Sequence, residues 1–93
     1  MINIDIEKLL LIKLNEELVI ETNEKVYIFS KKHIGNSNYL VFNEKEKQEN
    51  LKLKLDRIEK IIDCMFYKID DVIDDVEYFM NDIYNTYNVE FVL

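Results

Sequence analysis

Between residues 51 and 87 the apolar side chains recur in steps of four and three: Leu51, Leu55, Ile58, Ile62, Met65, Ile69, Val72, Val76, Phe79, Ile83 and Tyr87. That spacing is the seam of one side of an α-helix, and no Pro or Gly interrupts it. Ile61, Phe66, Ile73 and Met80 flank the seam and widen it, which fits a helix packed on a globular surface better than a narrow coiled-coil stripe. A straight helix over 46–87 would run about 60 Å, against a breadth of about 25–30 Å expected for a chain of this size. The helix is therefore expected to break near 69–71, with Asp70 capping the second half. The other solution is a protruding helix that pairs with a second copy.

Upstream of the seam the patterning changes. Ile2, Ile4 and Ile6 alternate with Asn3, Asp5 and Glu7 as a strand would. From Asp5 onward, however, Ile6, Leu9, Leu10 and Leu14 fit a short helix with Asp5 as its N-cap, and the helix is the favoured reading. Segments 17–22 and 25–30 are rich in β-branched and aromatic residues. Asn23-Glu24 separates them at the spacing of a two-residue hairpin, although Glu suits a primed turn poorly. A polar break at 31–37 carries the chain's one glycine, Gly35, followed by Asn36, and 38–43 reads as a third strand. Short connections make the three strands an antiparallel meander. Residues 88–93 read as a short strand or a docked tail. The expected fold class is α+β in one domain, 1–93. It comprises a short N-terminal helix, a three-stranded antiparallel sheet and two C-terminal helices, or one long bent helix, packed on the sheet.

An apolar fraction of 48% is ample for a packed core. No uncharged apolar run is long enough to span a membrane, and the first residues lack the pattern of a secretory signal. One cysteine, Cys64, cannot form an internal disulfide. It reads as a half-buried, inert thiol in a reducing cytoplasm. The net charge of −7 is unevenly placed. Residues 1–68 hold all 12 Lys and Arg and nearly balance, whereas 69–93 hold seven acids and no basic residue. Direct nucleic-acid binding by that end is disfavoured, because phosphates are repelled. Attraction to a basic protein surface is favoured.

Enzyme chemistry has little footing. His33 is the single histidine and lies in a Lys-Lys-His loop, one glycine cannot build a phosphate cradle, and Ser30 and Ser37 sit in no nucleophile motif. Asp70/Asp74 and Asp71/Asp75 are i, i+4 pairs that could share a divalent cation. The calcium-loop pattern is absent, though, and no histidine accompanies them. No cofactor and no metal are expected.

Like charges at i, i+4 destabilise a helix by a few tenths of a kcal/mol per pair, so the concentration of acid calls for a reason. Asp70, Asp71, Asp74, Asp75, Glu77 and Asp82 would occupy about 20 Å of continuous helix. That is one charge per roughly 3 Å, close to the spacing of phosphates along one DNA strand. Tyr78 and Tyr84 near this face would add interface aromatics. The plain alternative is helix-start stabilisation by Asp70 and Asp71, with the remainder a solvated surface.

The order of elements, the Phe79-Met80-Asn81-Asp82-Ile83 run after the acidic cluster, and Gly35-Asn36 before the Tyr39-Leu40-Val41 strand resemble the small phage-borne anti-CRISPR proteins that inhibit type II-A Cas9. The resemblance implies a stoichiometric, non-enzymatic inhibitor of a guide-loaded Cas effector in the bacterial cytoplasm. Its acidic face would fill the basic cleft that reads the short DNA motif beside the target. Asp70, Asp71, Asp74, Asp75, Glu77 and Asp82 would mimic DNA, and Gly35 and Asn36 would form a second contact loop. The alternative reading is a homodimeric helical assembly module whose acids keep it soluble.

Overall fold

Asp5 ends one element and starts another. Ile2–Asp5 is a strand (β1), and the Asp5 carboxylate accepts the backbone N–H groups of Glu7 (2.9 Å) and Lys8 (3.3 Å) to open helix α1, Ile6–Leu10. The alternation of Ile2 and Ile4 and the cap at Asp5 are thus both used, where the sequence reading chose the helix alone. The computed structural model describes residues 2–46 and 60–92.

Four antiparallel strands follow in sequence order: β2 (Glu17–Glu21), β3 (Lys25–Ile34), β4 (Ser37–Glu46) and β5 (Lys60–Lys68). The β2–β3 loop is Asn23-Glu24, as expected, but neither residue takes a positive φ. The Thr22 hydroxyl holds the turn instead, accepting from the Glu24 and Lys25 N–H groups. The β3–β4 loop is Gly35-Asn36, flanked by the Ile34–Ser37 pair. Gly35 has φ 63° while Asn36 stays negative, which is the type II′ pattern and the reason for glycine there.

The principal correction concerns 60–68. A helix was expected through this stretch; it is strand β5, paired with β4 from Tyr39↔Lys68 to Glu46↔Lys60 with a bulge at Glu44/Lys45. The sheet therefore has four strands rather than three. Residues 47–59 of the expected helix lie outside the described residues. Cys64 is accordingly exposed on a strand rather than half-buried beside a helical seam. The chain turns helical at Ile69: α2 spans Ile69–Asp74 and α3 spans Val76–Tyr87. The helix break expected near 69–71 does not occur: strand β5 ends at Lys68 and a helix starts there, with Lys68 rather than Asp70 at the cap and no side-chain bond. An interruption falls at Asp75, whose φ −141° and ψ 76° leave the helical region. Asn88, at φ 59°, closes α3 in the left-handed conformation. Val89–Val92 then forms β6, parallel to β1 in a separate two-stranded sheet (Ile2↔Val89 to Asp5↔Val92).

One face of the meander carries Tyr27, Phe29, Leu40 and Phe42, and onto it pack Ile4, Ile6 and Leu9 with Val72, Phe79, Ile83, Tyr87, Val89 and Phe91. Rings dominate this core: Phe29 and Phe42 lie 4.7 Å apart, Phe42 and Tyr87 4.4 Å, Tyr67 and Phe79 5.0 Å, and Phe79 and Phe91 5.5 Å. Each such side chain, fully buried, contributes roughly 1.5–3 kcal/mol before entropy is counted. The seam positions Val72, Phe79, Ile83 and Tyr87 are consumed here, inside the chain's own core.

Candidate functional site

Two tyrosine–carboxylate bonds of opposite direction seat α3 on β5. The Tyr67 hydroxyl of β5 donates to Asp82 of α3 at 3.1 Å, and the Tyr87 hydroxyl of α3 donates to Asp63 of β5 at 2.8 Å. Burial first, then the neighbouring carboxylates, push both phenols above the ordinary tyrosine range. Asp82, one of the six expected contact acids, is half-buried and faces the sheet through this bond.

The other five acids are exposed. Asp70, Asp71 and Asp74 lie on α2, Asp75 sits at the junction, and Glu77 is in the first turn of α3. None forms an ion pair with a described residue. Asp75 also has a structural task, since its carboxylate accepts the Tyr78 N–H at 3.0 Å and caps α3. The interruption at Asp75 divides the acids between two short helices, so the regular charge spacing of one straight helix is replaced by a kinked cluster.

Beside that cluster runs a shallow groove of about 190 Å³ lined by Phe66, Lys68, Asp71, Asp75 and Tyr78 over a floor of Val72 and Phe79. Tyr78 is 70% exposed and Phe66 55% exposed. Tyr78 was expected as an aromatic near the acidic face and Phe66 as a flank of a helical seam; only the strand register puts Phe66 at the groove. The Gly35-Asn36 turn lies at the sheet end where β5 passes into α2, because Tyr39 pairs with Lys68, the last residue before α2. Three further residues carry the hairpin to Asn36, about 10 Å along the strand direction. The two expected contact regions therefore occupy one end of the sheet. His33 is exposed on this hairpin, its ring Nδ1 2.7 Å from the Asn38 side-chain oxygen.

No family model, curated protein or solved structure matches the chain.

A second concavity lies away from the acids. It is a polar cleft of about 460 Å³ between the β2–β3 turn, the inner face of the sheet and the end of α3. Lys25 Nζ donates to Glu44 Oε1 across it at 2.8 Å, and that bond raises the lysine pKa. Nothing in the spacing of Lys25, Tyr27 and Glu44 along the chain announced this site; it exists only through strand register. Among the described residues no three His, Cys, Asp or Glu side chains are grouped to hold a metal ion, and no helix is long and apolar enough to cross a membrane.

Proposed function

We propose that the chain is a non-catalytic inhibitor that lays the α2–α3 acidic surface into the basic groove of a nucleic-acid-binding protein. The specific form, taken from the resemblance, is a guide-loaded Cas effector in the bacterial cytoplasm. The observation that carries the reading is the exposure of Asp70, Asp71, Asp74, Asp75 and Glu77 without ion-pair partners among the described residues, next to the exposed rings of Tyr78 and Phe66. Unpaired acids of one sign attract a basic surface at long range and accelerate encounter. Exposed aromatics supply the anchoring area that charge alone lacks. Gly35 and Asn36, at the same end of the sheet, would extend the contact.

The test is direct binding of the purified chain to guide-loaded Cas9 and to a set of other basic DNA-binding proteins, at low and high salt, with DNA as competitor. Binding at low salt that DNA displaces is expected. It is lost in the variant Asp70→Lys, Asp71→Lys, Asp74→Lys, Glu77→Lys, which spares the Asp75 cap. Failure to bind any of these proteins, or binding that the charge reversal leaves intact, refutes the reading.

A further inference from the structure

We propose that the polar cleft at the end of α3 is a binding site for a small alkylammonium ligand. Its volume, about 460 Å³, lies in the range of small-molecule sites. Three buried side chains with polar ends make its floor: Tyr27, Glu44 and Tyr87, at 6%, 7% and 7% exposure. Tyr87 donates its hydroxyl to Asp63, and Glu44 uses Oε1 on Lys25. The Tyr27 hydroxyl has no hydrogen-bond partner among the described residues, although it is not sealed from the cleft. The hydroxyl therefore opens onto the cleft, where it is free to bond water or a ligand.

The sign of the charge selects the ligand. Glu24 and Glu44 outnumber Lys25 along the walls, and Asp63 stands directly behind the Tyr87 hydroxyl. α3 ends at the cleft with Asn88 tying down the Tyr84 carbonyl and no basic residue in its last turn. The carbonyl end of a helix carries partial negative charge and favours a cation. An anion would meet repulsion from each of these groups except the Lys25 ammonium, whose charge Glu44 already pairs. An ammonium brings three donors, and among the lining residues Glu44, Tyr27 and Thr86 carry oxygen acceptors for them.

The full chain, isotope-labelled, is titrated with n-butylammonium and followed by amide chemical shifts. Its neutral analogue n-butanol and the anion butyrate serve as controls. Saturating shifts at 22–27, 44 and 85–88 with the ammonium alone are expected. Tyr27→Phe keeps the ring beside Phe42 (6.0 Å) and should weaken binding about tenfold, as loss of a hydrogen bond to a charged group does. Shifts confined to the exposed acids 70–77, an equal response to butanol, or an unchanged affinity in Tyr27→Phe overturns the proposal. The wild-type shift map decides it even where a variant fails to fold.

Discussion

The reciprocal bonds between β5 and α3 give the sharpest test of the fold. Consider Tyr87→Phe, Asp63→Ala and the double variant. The phenylalanine retains the ring packed on Phe42 at 4.4 Å, so the change removes the 2.8 Å bond to Asp63 and little else. A hydrogen bond to a charged group contributes about 1.5–3 kcal/mol. Asp63 is only half-buried and regains water when its donor is lost, which places the single variant near the lower end, about 1.5 kcal/mol. Asp63 also accepts its own neighbour's N–H, from Cys64 at 2.8 Å, so Asp63→Ala costs somewhat more. The coupling between the two sites should be about 1 kcal/mol. Urea unfolding read by far-UV circular dichroism is the suitable assay, since the chain has no Trp and the substitution alters tyrosine fluorescence. With a urea dependence of about 1–1.5 kcal/mol per molar, each midpoint should fall by about 1 M. If the two changes add within about 0.3–0.5 kcal/mol, positions 63 and 87 do not meet. The placement of 60–68 as a strand beneath α3 would then be wrong.

Other expectations are briefer. Because Tyr67 and Tyr87 hold their protons more tightly folded than unfolded, their contribution is complete below the ordinary tyrosine value of 10.0 and is lost as the pH rises above it. Each group then subtracts up to about 1.4 kcal/mol per pH unit. Urea midpoints should be flat to about pH 9.5 and fall beyond it, less steeply in a Tyr67→Phe, Tyr87→Phe variant. Phe79→Ala, which empties the contact between Tyr67 and Phe91, should cost about 3–5 kcal/mol in thermal or chemical unfolding. Gly35→Ala meets no neighbouring atom but must hold φ 63°. It should lose about 1–2 kcal/mol without altering the core amide shifts. Asp75→Ala should cost about 1 kcal/mol through the lost cap, measurable in the same unfolding assay.

Much of the scaffold was legible where local chemistry decides the outcome. The β-branched and aromatic runs of β2, β3 and β4 declared themselves, although 31–34 read as part of a polar break and continue β3, and Asp5 carried its cap on its face. Residues 60–68 misled because Met65 and Ile69 fit a helical period, while the strand alternation of Asp63, Met65 and Tyr67 is disguised by a carboxylate at an inward position. Pairing with β4 settles that ambiguity, and such pairing cannot be read within a local window. Asp82 shows the same limit at the level of the site. Its charge was visible in the sequence, but its bond to Tyr67 depends on β5 being a strand. The cleft around Tyr27 and Glu44 was equally invisible, being assembled from three elements distant in sequence.

The parallel pairing of β1 with β6 sets an order on how the molecule forms. Ile2 can meet Val89 only after nearly the whole described chain has been synthesised, and closing so long a loop is entropically slow. During translation the meander can assemble from neighbours in sequence, whereas Ile4 and Leu9 must wait for Val89 and Phe91 to emerge. Until then the ring-lined face of the sheet is uncovered. The nascent chain is therefore most vulnerable to aggregation until β6 has emerged from the ribosome, and loss of β6 should harm yield in the cell more than its short length suggests.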